Sequence, residues 1–158
     1  MIEIKVDGTV VFQSRSPIAK YGEGAPIKEA SEAEKRFAII RDMPQEVFAV
    51  MSLNGANRIL KIRLVTVGLL DSNQAHPREV FADPITDRAA SIIVAHNHPS
   101  GTLEPSHEDI ALTKRLQKAG EILGIKLLDH LILTKDGMIS LKQLGKLPCG
   151  PGNPGVSG

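Results

Sequence analysis

Residues Ser91 to Ala95 read Ser-Ile-Ile-Val-Ala, a short continuous apolar run with no polar alternation. A strand of this kind leaves neither face for water, so it belongs inside a sheet that other elements cover on both sides. The chain supplies such cover. From His107 to Leu123, Ile110, Leu116, Ala119 and Leu123 recur at helical spacing, and Gly124 stands where a left-handed C-cap is needed. Ile125 to Leu133 reads as another strand, Asp136-Gly137 as a turn, and Met138 to Leu141 as a last short strand. Strands and helices alternate through this half. The expected fold class is therefore α/β (α+β), a mixed β-sheet flanked by helices.

The first half is read the same way. Ile2, Ile4 and Val6, then Asp7-Gly8, then Val10 and Phe12 predict a β-hairpin with a primed turn. Residues 14 to 30, punctuated by Pro17, Gly22, Gly24 and Pro26, read as an irregular connector. Ser31 and Glu34 have capping-box spacing, and Ala33, Phe37 and Ile40 continue one helical face to about Arg41. From Glu46 a dense apolar run reaches Leu53, Asn54-Gly55-Ala56-Asn57 turns, and Arg58 to Val67 returns as the second strand of a hairpin. His76-Pro77 opens a helix over residues 78 to 90 that Pro84 is expected to break or kink. After Gly145 the Pro/Gly-rich residues read as a flexible tail. The expected organisation is an extension over 1–45, a domain over 46–146 and a tail over 147–158.

At 158 residues, folding buries roughly 70% of the accessible surface of one domain, enough for a core without disulfides. Nineteen Lys and Arg against eighteen Asp and Glu give a net charge of +1, which argues against direct nucleic-acid binding. Four Phe and Tyr21 are too few for a base-stacking platform. Cys149 is the only cysteine, so no intrachain disulfide or cysteine-based zinc site can form. No apolar run approaches the ~18 residues that span a bilayer. A cytoplasmic location without membrane contact is the expectation.

His96 and His98 follow directly on the buried strand. Side chains two apart on an extended chain point to one side, so both imidazoles converge while Asn97 faces away. Pro99-Ser100-Gly101 turns the chain, Pro105-Ser106 starts the long helix, and Asp109 falls in its first turn, near the carboxyl end of the strand. Two imidazoles and one carboxylate with a fourth position open make the donor set of a catalytic zinc site. By itself, Ser106 to Asp109 is also an ordinary helix start, with Ser106 as the cap. The conjunction of strand, His-x-His pair, sharp turn and helix-borne carboxylate favours metal.

The pattern His96-x-His98-Pro99-Ser100-Gly101, with seven residues between His98 and Ser106 and two between Ser106 and Asp109, resembles the JAMM (JAB/MPN) metallopeptidase signature. The longer stretch, continued by Leu127 to Leu133, resembles the RadC branch of that superfamily over roughly Gln45 to Gly145. The resemblance implies a JAMM/MPN-like, cytidine-deaminase-like sandwich and zinc-dependent hydrolysis of a peptide or isopeptide amide in a peptide or protein substrate. It implies Zn2+ held by His96, His98 and Asp109, with Ser106 steadying the reacting carbonyl oxygen. It also implies Glu46 as general base, taking a proton from zinc-activated water and passing it to the leaving nitrogen. Many RadC proteins carry an N-terminal helix-hairpin-helix module that the 1–45 stretch does not match, so a DNA role borrowed from that module does not transfer.

Other readings weigh less. The letters His96-Asn97-His98 are not the separated residues of an HNH nuclease, and the deaminase and thermolysin-like motifs are absent. His130, in an apolar strand, reads as a hydrogen-bonded core residue. Asp129 reads either as a support of the site or as a buried structural group. His76 and His107 read as solvent-facing, and Lys114, Arg115 and Lys118 as a solvated helix face. The rival function is a non-catalytic or vestigial MPN-type interaction module associated with DNA metabolism or mobile elements. The sequence leaves the oligomeric state open.

Overall fold

The computed structural model describes residues 3–6, 9–13, 17–20, 26–68 and 75–147. The first hairpin is β1 (Glu3–Val6) antiparallel to β2 (Thr9–Gln13), with Ile4 opposite Phe12. Its turn residues Asp7 and Gly8, Cys149 and the tail beyond residue 147 lie outside the described residues. The chain continues as β3 (Pro17–Lys20), α1 (Ala30–Arg41), β4 (Val47–Leu53), β5 (Ile59–Val67), α2 (Pro77–Thr86), β6 (Ser91–Asn97), α3 (His107–Leu123), β7 (Lys126–Leu133) and β8 (Met138–Ser140).

A six-stranded sheet runs in the order β3-β5-β4-β6-β7-β8. Its neighbours are antiparallel except β6 and β7, the parallel pair. Parallel neighbours need a crossover, and α3 provides it. All seven residues of β6 are buried, as its unbroken apolar run requires. The period of two along each strand sorts side chains into two cores. Ala49, Met51, Leu53, Ile93, Ala95, Leu131 and Leu133 pack with Ala33, Phe37 and Ile40 of α1. Phe48, Val50, Ile92 and Val94 pack on the other face with Val80 and Phe81 of α2 and Leu116 of α3. The result is the mixed α/β architecture the sequence predicts. Helix α1, although it falls within the 1–45 stretch, shares the core of the sheet.

Three local expectations need correction. The 14–30 stretch is not all connector, because Pro17–Lys20 pairs with β5 at the sheet edge. An edge strand tolerates Pro at its first position, where the missing amide is not required by a neighbour. The cap of α1 is Glu29 rather than Ser31: the Glu32 carboxylate reaches back to the amides of Lys28 (2.6 Å) and Glu29 (3.4 Å). Pro84 does not end α2, which runs on to Thr86 with Val80, Phe81 and Pro84 all buried. Packing of that face on the sheet outweighs one lost backbone bond, and the turn that follows closes with the Ala89 amide on the Pro84 carbonyl at 2.9 Å.

The end of α3 is set by two glycines. Gly124 adopts φ 72°, the left-handed cap conformation. At Gly120 a β-carbon would stand 2.3 Å from the Ile125 carbonyl oxygen, so only glycine lets the helix descend this closely onto the start of β7. That contact fixes where α3 lies along the sheet, and hence where its N-terminus meets the end of β6.

Candidate metal centre

His96 continues the Ile92–Val94 face of β6 toward α3 and is fully buried. His98 follows one residue beyond the strand. Its amide donates to the Leu133 carbonyl (2.9 Å), and its own carbonyl accepts the Gly101 amide (3.0 Å), closing the turn that Gly101 completes at φ 83°. The chain then reaches Ser106, the cap of α3. The Ser106 hydroxyl accepts the Asp109 amide (3.0 Å), and the Ser106 amide donates to Asp109 Oδ2 (2.8 Å). This reciprocal cap aims the Asp109 carboxylate, 8% exposed as a residue, back at the histidines.

Three donor groups meet there. His96 Nε2 lies 2.9 Å from His98 Nε2, Asp109 Oδ1 lies 3.2 Å from His96 Nε2, and Asp109 Oδ2 lies 3.4 Å from His98 Nε2. Ligands about 2.0–2.1 Å from a tetrahedral zinc are separated by about 3.3 Å, so these spacings fit three corners of such a site. His98 Nδ1 stands 2.8 Å from the Thr102 carbonyl, which can only accept. The ring therefore carries a proton on Nδ1 and turns Nε2 to the cluster, where that nitrogen either holds a second proton or offers its lone pair to a metal.

The electrostatics describe a place that attracts positive charge. Burial pushes the Asp109 carboxyl upward, but its bonds to His96 and His98 outweigh this and hold it well below the usual carboxylate range. The Asp109 carboxylate in turn raises His98, against the opposing effect of burial. A metal cation and a proton would compete for the same lone pairs.

Glu46 stands immediately before β4 and is half-buried. Among the described residues, Glu46, His96 and His98 offer ligand atoms that all lie within 4.8 Å of one another. Two carboxylates therefore approach the imidazoles from separate elements, Asp109 of α3 at 3.2 and 3.4 Å and Glu46 from the segment before β4 within 4.8 Å. Asn97 does face away, as the alternation predicts, and it is put to use there. Its Oδ1 accepts the Val47 amide (2.7 Å), and its Nδ2 donates to the Met43 and Gln45 carbonyls (3.0 Å each). The three bonds clamp the segment carrying Glu46 to the strand carrying both histidines. A cleft of about 450 Å³ opens beside them between Pro44, Gln45 and Glu46 on one side and Gly68, His98, Pro99 and Ser100 on the other. A larger hollow of about 840 Å³ beside α1 has Asp129 and Lys142 on its wall and none of the residues of the histidine cluster.

His130 is a buried, hydrogen-bonded residue as expected, but its bonds lead into the site. Its Nε2 lies 2.8 Å from His96 Nδ1, and its Nδ1 lies 2.7 Å from the Thr113 hydroxyl. Burial holds the His130 ring well below the usual imidazole range, so it stays neutral. Phe48, opposite His96 in the β4–β6 register, stacks on His96 with ring centroids 6.1 Å apart and meets His130 edge-on at 5.7 Å. Neither Thr113 nor Phe48 stands out in the sequence. Thr113 is one turn beyond Asp109, and that i, i+4 spacing is its only sequence-level signal. Asp129 does not reach the histidine cluster by a hydrogen bond. It accepts from the Ser140 hydroxyl (2.6 Å) and the His130 (2.7 Å) and Lys142 (3.1 Å) amides, tying β7 to the turn after β8. Of the two histidines expected at the surface, His107 is exposed and His76 is half-buried, accepting the Arg78 amide as the cap of α2 (3.2 Å). Lys114, Arg115 and Lys118 are exposed. Among the described residues no helix is long and apolar enough to cross a membrane.

Residues 27–146 match the family model of the RadC-like JAB domain. A UPF0758 protein of Methanospirillum hungatei is 60% identical over 103 residues, covering 65% of this chain and 46% of that protein. A UPF0758 protein of Moorella thermoacetica is 55% identical over 104 residues, or 66% of this chain and 45% of that protein. One from Caldanaerobacter subterraneus is 49% identical over 143 residues, 90% of this chain and 61% of that protein. The chain spans about half the length of the curated relatives it matches. With a family match that takes in α1, the five strands β4 to β8 of the six-stranded sheet and every residue of the histidine cluster, the chain belongs to the RadC-like JAB domain family.

Proposed function

We propose that the chain is a zinc-dependent hydrolase of the JAMM class that cleaves a peptide or isopeptide amide in a peptide or protein substrate. The observation that carries this reading is the convergence of His96 Nε2, His98 Nε2 and Asp109 within 3.4 Å of one another, beside a cleft shared by His98 and Glu46. His96, His98 and Asp109 would hold the ion. A zinc ion in such a site supplies Lewis acidity, lowering the pKa of water to about 7 and polarising a carbonyl.

The chain's own residues do the rest. Glu46, held by the Asn97 clamp, takes a proton from the attacking water and delivers it to the leaving nitrogen, a role that commonly contributes ~10²–10⁴-fold. The Ser106 oxygen accepts from the Asp109 amide, which leaves its own proton free to donate to the substrate carbonyl oxygen as negative charge develops.

The test is metal content and turnover measured on one preparation, against a panel of fluorogenic peptide and isopeptide amides. The expected result is one zinc per chain and, in Glu46→Gln, retained zinc with hydrolysis reduced by ~10²-fold or more. Zinc lost from Glu46→Gln would make Glu46 a ligand instead. Full activity in that variant would assign the base elsewhere, and a zinc-loaded wild type that cleaves no member of the panel would turn the reading toward an interaction module.

A further inference from the structure

We infer that Thr113 and His130 form a buried relay that sets which nitrogen of His96 carries its proton, and so makes His96 Nε2 a metal ligand. The inference rests on the reading of His96 as a ligand and identifies two positioning residues for it. One chain of contacts fixes where each proton sits.

The Thr113 hydroxyl has a single proton, and it is donated to the Asp109 carbonyl at 2.7 Å. Toward His130 Nδ1, 2.7 Å away, the same oxygen can therefore only accept, so His130 carries its proton on Nδ1. A neutral imidazole has one N–H, and His130 has no exposed surface through which water could serve a second. Its Nε2 is thus an acceptor. Across the 2.8 Å contact His96 Nδ1 must donate, which in the neutral ring that binds a metal leaves the His96 Nε2 lone pair bare. That lone pair points at His98 Nε2 and Asp109 Oδ1.

The far end of the relay is the backbone of Asp109 itself. One ligand's carbonyl thus specifies, through Thr113 and His130, the tautomer of another ligand. The relay is enclosed as well as ordered: Thr113, His130 and His96 all have no exposed surface, and Phe48 packs against both rings. Without the Thr113 hydroxyl nothing requires the His130 proton to sit on Nδ1. His130 Nε2 can then donate to His96 Nδ1, and His96 moves its proton to Nε2, where Asp109 Oδ1 accepts it at 3.2 Å. That arrangement satisfies every group and blocks the ligand atom.

The test compares wild type, Thr113→Val and Thr113→Ser as metal-stripped and zinc-loaded chains. Imidazole nitrogen and carbon-proton correlation spectra of the metal-stripped chains report the tautomer directly, and competition with a chromogenic chelator reports zinc affinity. The expected result is the Nδ1–H tautomer of His96 in wild type and Thr113→Ser. Thr113→Val, close in shape and without the hydroxyl, is expected to show the Nε2–H tautomer and zinc affinity lower by about 10–100-fold. Thr113→Val with an unchanged His96 tautomer and unchanged affinity would overturn the relay, as would a wild type with its proton on Nε2. A wild type that shows the Nδ1–H tautomer yet takes up no zinc would sustain the relay and overturn the metal reading, so the two fail separately.

Discussion

Asn97 illustrates how one side chain serves a site without touching the reacting groups. It is fully buried and makes bonds to three backbone groups of the 43–47 segment. Asn97→Leu leaves the Val47 amide and the Met43 carbonyl buried without this partner, at about 1 kcal/mol each, so chemical denaturation should show a loss of about 2 kcal/mol. The histidines and Asp109 keep their own supports. At temperatures where the variant is folded, zinc should be retained while turnover falls, because the Glu46 carboxylate is no longer held beside the cleft. Loss of zinc in proportion to turnover would show that the clamp supports the ligands instead. The sequence shows which way Asn97 points, because strand alternation is a local rule. Its partners, about fifty residues away, depend on β4 pairing with β6.

At the scale of elements, α2 shows burial overriding a local rule. Its C-terminal Asp87 side chain is 1% exposed and faces Arg63 Nη2 at 2.8 Å, Lys61 Nζ at 3.4 Å and Ser52 Oγ at 3.1 Å. Burial raises the Asp87 carboxyl, but the Arg63 bond and charge prevail and leave it below its ordinary value. A carboxyl depressed in the folded state stabilises the fold at pH above its unfolded value, and that stability is lost as pH falls through the folded one. Asp87→Asn should therefore cost about 2 kcal/mol at pH 7, between an exposed and a fully buried pair. Urea melts of the two proteins should converge as pH drops below about 4. A gap independent of pH would assign the loss to packing rather than charge. The ends of α3 were legible from Ser106 and Gly124 because caps are local chemistry. Strand β3 was not, since a four-residue segment starting with Pro becomes a strand only when β5 offers it an edge.

At the scale of the molecule, the candidate site lies where separate elements end together. The end of β6 brings His96 and His98, the start of α3 brings Ser106 and Asp109, the start of β4 brings Glu46, and β7 brings His130. An ion bound there ties β6 to α3, so it should stabilise the whole fold. Zinc at about a hundred times its Kd adds about 2.7 kcal/mol, which for a domain of ~150 residues raises Tm by about 8 °C. Thermal melts with zinc and with chelator should show that shift in wild type and none in His96→Ala; an equal shift in both would place the ion elsewhere. The sequence by itself determined the central strand, the long capped helix, the hairpins and the residues that could serve as ligands, because burial periodicity, turn chemistry and capping act within a few residues. Only the tertiary structure decided the strand order, the clamp on the segment before β4, and the contacts joining Thr113, His130 and His96. Those depend on which distant segments share a sheet face, and a chain with period-two strands is compatible with many such pairings until all its apolar faces are buried at once.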